Sequence, residues 1–477
     1  MGYKVGEDKK QPLLLPASMD EYVPKDHICR VICAFTERLD MAALGYKYAE
    51  CKSTGCRPYD PRMMLNLYIY GYLHRVRSSR RLRDEARRNV EAMWLMEGLQ
   101  PDDKTICNFR KDNAGALGRT FREFVIRCRE IGLYGGWLVA TDGTKIRANN
   151  SLRNNHNRTV VGNELSRIEK RISRYMEELE QGDKEEEGEE EPSGDEIRAA
   201  LERLKERKGK FEELKRRTEE EGEVSTVDPD ARLMRTGGDG RPLDACYNVQ
   251  AVVDSKNHMI ADYGVTNCAN DSGELFRMSR KAKEALGVER LTNLADKGYY
   301  HGKEIAACEG SGVTCLVAKG RPGGPKKAEG FNTKDFEYDR ENDQYVCPKG
   351  ERMRHTRDQR HISGREYRVY ANYGACGKCQ CKPECTTYHH REVLRQRCQD
   401  ILDKVDERTR KNKGLYRKRQ EIVEHVFGTI KAVWGYRQFL CRTLVKVAAE
   451  TALTCLAYNM RRAFNIQKEK GMKLAMV

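Results

Sequence analysis

The chain of 477 residues is long enough for two or three domains with a sizeable core. Its formal net charge of +15 points to a polyanionic partner, nucleic acid before an anionic membrane. No apolar run reaches the roughly 18 residues of a membrane-spanning helix, the opening MGYKVGEDKKQPLLLPASMDEY has too short an apolar core for a secretion signal, and Gly6 stands where N-myristoylation wants Ser or Thr.

Residues 18 to about 130 read as helical. In YDPRMMLNLYIYGYL, Pro61 marks a helix start, and Met64, Leu65, Tyr68, Ile69, Tyr72 and Leu73 recur at helical spacing. Arg75, Arg77, Arg80, Arg81, Arg83, Arg87 and Arg88 follow, with a turn expected at Ser78-Ser79. Few acids offset these arginines, so they are expected to form a cationic face for the DNA backbone. Asp102 or Asp103 is a plausible cap for the next basic helix.

The stretch LVATDGTKIRANN is expected to be a buried strand delivering Asp142 at its tip, with Lys145 and Arg147 close behind. A plain turn aspartate is the competing reading of Asp-Gly. Residues 163–222 are charge-dense and heptad-like. Leu165, Ile168, Ile172, Tyr175 and Leu179 form one seam, and Ile197, Leu201, Leu204, Phe211 and Leu214 a second. An antiparallel helical hairpin with the acidic tip GDKEEEGEEEPSGD is expected, packed internally or against a second subunit. ACYNVQAVVD and HMIADYGVTN then read as a β-hairpin, followed by an amphipathic helix. LTNLADKGYYHGKEI reads as a short strand ending in Asp296 and then a helix, and GVTCLVAKG as another buried strand. A Gly/Pro-rich segment opens an insertion running to about residue 390. Two final helices hold YRKRQEIVEHVFGTIK and the C-terminal tail.

Two strand-end carboxylates, Asp142 and Asp296, and a helical one, Glu424, form a set with a chemical logic. Three clustered carboxylates repel unless a cation joins them, and hard oxygen donors suit Mg²⁺ or Mn²⁺. Two such ions can activate an attacking oxygen and stabilise the leaving oxygen of a phosphodiester. Asp228 and Asp230 are read as orienting the core or DNA, and Asp254 and Asp262 as turn residues; Asp244 has no clear role.

Four core motifs and the helical N-terminal segment resemble the DDE transposases of bacterial insertion sequences. TDGTKIRAN resembles their first-aspartate motif, STVDPDARLM with YNVQAVVD the next block, and LADKGYY the second-aspartate motif. YRKRQEIVEHVFGTIK resembles the helix with the Tyr, Arg, Glu and Lys signature, and YDPRMMLNLYIYGYL with its basic continuation resembles the helical N-terminal domain. The order of the four core motifs is more specific than any one of them, and the resemblance covers almost the whole chain outside the charged hairpin.

It implies an α+β, or α/β, fold: a ribonuclease H-like mixed sheet flanked by helices. The implied domains are a helical DNA-binding domain over 1–130 and a catalytic core over 131–320 and 391–477. The helical hairpin over 163–222 lies within that core, and a Cys-rich, zinc-ribbon-like insertion spans 321–390. It implies Asp142, Asp296 and Glu424 as catalytic ligands of two Mg²⁺ or Mn²⁺ ions. Lys145, Arg147, Tyr416, Arg419 and Lys431 join the arginines above as DNA contacts. The signature usually places three residues between its Arg and Glu; here four separate Arg419 from Glu424. The six between Glu424 and Lys431 fit, so Glu424 is chosen over Glu421. The implied partners are terminal inverted repeats, target DNA and a second copy of the chain in a dimer or larger synaptic assembly. The implied location is the bacterial cytoplasm, on the nucleoid when DNA-bound, with no membrane partner. A DNA-binding relic without chemistry and a metal-dependent nuclease without strand transfer are the rival readings. No GxxxxGK[ST] phosphate loop is present.

The chain has 18 cysteines, most of them scattered singly and read as reduced thiols. Cys347, Cys376, Cys379, Cys381 and Cys385 are crowded together. The Cys376-x-x-Cys379 spacing is that of a zinc knuckle, which Cys347 and Cys385 complete, with Cys381 or His355 as substitutes. Unligated thiols or a disulfide are the competing reading.

Overall fold

The computed structural model describes residues 18–50, 57–182, 194–236, 243–320, 330–360 and 366–471. Cys51, Cys56 and nearly all of the acidic hairpin tip lie outside them. The described N-terminal part is helical: α1 (Ile28–Glu37), α2 (Pro61–Leu73), α3 (Ser79–Arg88), α4 (Val90–Leu95), α5 (Asp103–Asp112) and α6 (Ala114–Glu130). The start signals act as their chemistry dictates. Asp60 accepts from the Arg62 amide with Pro61 in the first turn of α2, and Asp102 accepts from the Thr105 amide at 2.5 Å. α2 is buried on almost every side, Tyr68, Tyr70 and Tyr72 included.

β1 (Leu138–Arg147) begins the principal sheet. A short two-stranded ladder, β2 (Asn155–Asn157) with β3 (Glu223–Ser225), brackets the antiparallel pair α7 (Arg158–Gly182) and α8 (Gly194–Glu221). Leu165 and Ile168 of α7 and Leu201, Leu204 and Leu214 of α8 are buried along the seam, as the heptad spacing requires. β4 (Arg232–Arg235), β5 (Leu243–Asp254), β6 (Ile260–Thr266), α9 (Leu275–Leu286), β7 (Leu291–Ala295), α10 (Gly302–Gly310) and β8 (Val313–Val317) complete the core. The strand order is β4-β5-β1-β7-β8, with β6 also paired to β5. β5 is antiparallel to β1, β4 and β6, whereas β1, β7 and β8 are parallel.

A separate five-stranded antiparallel sheet follows, in the order β13-β12-β11-β10-β9. It comprises β9 (Glu337–Asp339), β10 (Gln344–Val346), β11 (Arg352–Arg360), β12 (Glu366–Ala371) and β13 (Glu392–Gln396), with the short helices α11 (Tyr373–Gly377) and α12 (Lys382–Cys385) between its last two strands. It has its own small core of Phe336, Tyr345, Met353, Tyr370 and Val393. The chain then returns to the principal sheet through α13 (Gln399–Lys411), α14 (Lys413–Gly428) and α15 (Leu444–Glu469).

α15 joins the two halves of the molecule. One hydrophobic core runs from Ile32, Phe35 and Tyr68 through Phe124 and Leu453 to Val252 and Leu294. Each such buried apolar side chain contributes about 1.5–3 kcal/mol. Asn459 supplies the polar lock: its side chain accepts from the Ile260 amide and donates to the Ile260 carbonyl, both at 2.8 Å, so β6 is covered at that edge.

Candidate active site

The register of β1 against β7 creates the site. The parallel pairing runs from Leu138↔Thr292 to Thr141↔Ala295 and stops there. Asp142 and Asp296 are the next residues on adjacent strands, which lie about 4.8 Å apart. Asp142 is therefore not a strand tip, as the sequence suggested. β1 continues to Arg147, paired on its other side with β5, and Asp142 marks where β1 outruns its shorter neighbour. Asp296 does leave the end of β7, and its carboxylate accepts from the Gly298 amide at 2.7 Å.

Burial pushes the Asp142 carboxyl up to about 6. The Gly143 amide (2.8 Å) and the Arg419 guanidinium (3.4 Å) oppose that shift, while the negative charges of Asp296 and Asp271 add to it. Such a carboxylate group, with one nearby arginine, is electrostatically short of positive charge. That is the environment in which a hard cation is favoured, and the oxygen-only donors fit Mg²⁺ or Mn²⁺.

α14 crosses this place. Tyr416 is half-buried near Asp296 and Arg419, and burial raises its hydroxyl. Arg419 reaches Asp142. After the last α-helical turn the chain widens into a π-type turn, Thr429–Val433, from which Lys431 donates to the Thr144 hydroxyl (2.9 Å) and the Lys145 carbonyl (3.2 Å). Burial lowers the Lys431 pKa. Glu424 lies between Arg419 and Lys431 on this crossing helix; it is exposed and makes no hydrogen bond or ion pair with the described residues. Glu421 projects differently, lining a cleft with Lys418, His258 and Trp137 beside the start of β1.

One acidic residue of this neighbourhood escaped the sequence reading. Asp271, in the loop before α9, accepts from the side-chain amides of Asn248 and Gln250, both at 2.7 Å, and pairs with Lys145 at 3.4 Å. Lys145 thus faces a carboxylate in this structure. The available signal was its place among polar residues, NDSGE, just before an amphipathic helix; nothing in that pattern predicts the partners. A Cβ at Gly143 would collide with Gln250 Nε2 and sit 2.7 Å from Asp271 Oδ1, so only glycine admits this packing.

The arginine run divides. Arg75, Arg80, Arg81, Arg87 and Arg88 are exposed, and α3 buries Leu82 and Ala86 on its inner side. Arg83 pairs with Asp84 (2.9 Å) and Asp103 (3.0 Å). Arg77 corrects the expectation of a uniform cationic face. Its guanidinium lies 4.0 Å from the Tyr436 ring centre and 3.1 Å from the fully buried Glu450, and donates to the Gln438 carbonyl. Arg147 is exposed and 3.6 Å from Asp244.

The other acids have structural employment. Asp228 accepts from the Tyr247 hydroxyl and the Thr443 amide, and Asp230 from the Leu444 amide, which together anchor the start of α15. Asp254 accepts from the Gly135, Gly136 and Lys256 amides, and Asp262 pairs with Lys281 at 2.6 Å.

The cysteines form a second cluster, in the five-stranded unit. Cys347, Cys376, Cys379, Cys381 and Cys385 line one pocket beside Phe336 and Met353. The Cys385 thiol is raised by burial; Arg391 opposes this, and Cys376, Cys379 and Cys347 add to it as nearby potential charges. His355 instead meets Asp358 at 3.0 Å.

Residues 17–112 match the family described as Transposase domain (DUF772), and residues 346–464 match Transposase DDE domain. Both matches are consistent with an insertion-sequence DDE transposase. The chain matches no curated protein and no solved structure. Its N-terminal match takes in α2, α3 and the arginine run; its C-terminal match takes in the cysteine cluster, α14 and most of α15. Asp142 and Asp296 fall between the two. Among the described residues, no helix is long and apolar enough to cross a membrane.

Proposed function

We propose that this transposase cuts DNA at the ends of its own element and joins the freed 3′-hydroxyl to target DNA. Asp142, Asp296 and Glu424 would hold two Mg²⁺ or Mn²⁺ ions. The observation that carries the reading is the β1/β7 register, which seats two carboxylates side by side where burial disfavours the charge on Asp142 and an arginine already stands. The strand order, with β5 antiparallel to β1, β4 and β6 and with β1, β7 and β8 parallel, supports a ribonuclease H-like core.

When bound, the ions supply Lewis-acid activation of the attacking oxygen and neutralise charge at the phosphodiester. The chain's own groups then have defined tasks. Asp142 lies within β1 and Asp296 directly follows β7, so the sheet sets where both backbones stand. Arg419 is placed to exchange its contact with Asp142 for a DNA phosphate. Tyr416 and Lys431 flank the same spot and orient the backbone, and the exposed arginines of α3 extend the contact along the duplex. Two DNA ends must meet for joining, which calls for at least a dimer. In the five-stranded unit, Cys347, Cys376, Cys379 and Cys385 would bind one Zn²⁺, a soft-donor site that reinforces a small core.

The test is incubation of the full chain with Mg²⁺ and DNA carrying the repeats that flank its gene, beside Asp142→Ala, Asp296→Ala and Glu424→Ala. Cleavage and joining by the unsubstituted protein alone supports the reading. Cleavage without joining indicates a nuclease, and tight binding without cleavage a DNA-binding relic.

A further inference from the structure

Asp271 belongs to no motif used above, yet the polar network around the carboxylates converges on it. Its Oδ1 takes the amides of Asn248 and Gln250 on β5. Asn248 also donates to the Cys268 carbonyl, which ties the loop carrying Asp271 to the sheet. Gln250 in turn accepts from the hydroxyl of Tyr299, a fully buried residue in the turn that Asp296 caps. Lys145 Nζ approaches both Asp271 oxygens, at 3.4 and 3.5 Å, from β1, three residues beyond Asp142.

The network therefore has two arms. One runs Asp271–Gln250–Tyr299 to the Asp296 turn, and the other runs Asp271–Lys145 to the strand bearing Asp142. The backbone has yielded space for it: a Cβ at Gly143 would strike Asp271 Oδ1, and a Cβ at Gly298 would lie 2.9 Å from Asp296 Oδ1 and 3.7 Å from Asp271 Oδ2. Two aspartates thus crowd one point in the turn after β7. Beyond Thr141↔Ala295 no ladder hydrogen bond holds β1 to the β7 end. Asp142 stays paired with Ala251 on β5 and Asp296 caps its own turn, and the side-chain network spans the gap between these two supports.

We propose that Asp271 is a positioning residue that sets the spacing of the Asp142 and Asp296 carboxylates, through Gln250 and Tyr299 on one side and Lys145 on the other. In this role it acts through other groups. The proposal rests on the metal-binding reading of those two aspartates. Outer partners of metal ligands matter at this level because a displaced ligand binds more weakly even when its chemistry is unchanged.

The test uses the full metal-free chain titrated with Mn²⁺ in a calorimeter, with thermal unfolding of each protein recorded without metal. Asp271→Ala is expected to weaken Mn²⁺ binding about 10- to 100-fold. Asp271→Asn keeps an acceptor oxygen for both amides but loses the charge and one acceptor facing Lys145, so it is expected to weaken binding less. Its smaller perturbation keeps the test decisive where the alanine variant fails to fold. Unchanged Mn²⁺ affinity in a folded Asp271 variant, alongside loss of binding in Asp142→Ala and Asp296→Ala, overturns the proposal and leaves the site reading intact. A lower metal-free unfolding temperature with unchanged affinity overturns it too, since that is a purely structural role. An unsubstituted protein that takes up no Mn²⁺ defeats the site reading itself, and the proposal falls with it.

Discussion

The two candidate metal centres are built in opposite ways. The carboxylates sit on a sheet whose register is set by many ladder hydrogen bonds, and a buried polar network stiffens the remaining gap. The cysteines sit on a turn and two helices of five and four residues, beside a core of five buried side chains. The first geometry exists because of the fold. The second unit has little else to hold its loops, so a bound ion there would itself contribute folding energy. Metal removal should accordingly affect the two differently: activity at the carboxylates, structure at the cysteines.

The largest effect should separate them outright. Asp142→Ala or Asp296→Ala is expected to lower DNA cleavage by at least about a thousandfold; for Asp142→Ala the unfolding temperature should stay unchanged or rise, because the cost of burying its charge is removed. Gel-based cleavage and calorimetry read both; an active Asp142→Ala enzyme would remove the site from consideration. Cys376→Ser with Cys379→Ser should reverse the pattern. Bound zinc, measured by elemental analysis, should fall from one per chain to none, and protease cutting should rise within 330–396 while the principal sheet stays protected. A protein purified with no zinc, equally protease-resistant with and without these cysteines, breaks the comparison.

The arginine run gives an intermediate test. Arg77→Ala leaves Glu450 buried and without its ion pair, at a cost of about 3–5 kcal/mol seen in denaturant unfolding. Arg81→Ala and Arg88→Ala should change stability by under about 0.5 kcal/mol. Each is instead expected to reduce the salt dependence of DNA binding, by about 0.9 in log–log slope for every phosphate that the variant no longer neutralises.

The smallest and sharpest test is pH. The Asp142 carboxyl is held up at about 6, so the metal-free protein gains stability from this group as pH falls through 6 and loses it as pH rises. Metal needs the ionised form, so Mn²⁺ affinity should be level above about pH 7 and fall about tenfold per unit below about pH 6. A flat profile down to about pH 5 would show that no ligand of the bound ion titrates near 6. The cysteine site should lose zinc over the same acid range through thiolate protonation, with no dependence on Asp142→Asn.

Much of this arrangement is legible in the residues. The helical periodicity of α2, the Asp60 and Asp102 caps, the α7–α8 seam and the β5–β6 hairpin follow from local propensity and spacing, which act between near neighbours in the chain. So does the idea that Asp142 and Asp296 belong together, since each follows an apolar strand. Register is not legible. Nothing local says that β7 stops at Ala295 opposite Thr141, and so Asp142 reads as a strand tip when it lies within a longer strand. Nor does an arginine's neighbourhood in the chain reveal its neighbours in space. Arg77 and Arg81 read alike, but Arg77 meets Glu450 on a helix from the far end of the chain. Asp271 is passed over for the same reason, because all its partners come from other strands. The elements, the net charge and the choice of donor chemistry are thus properties of the chain read locally. Which carboxylates face one another, which cation is locked in the core and what braces the site are properties of the folded molecule, because they depend on strand register and on contacts between residues hundreds of positions apart.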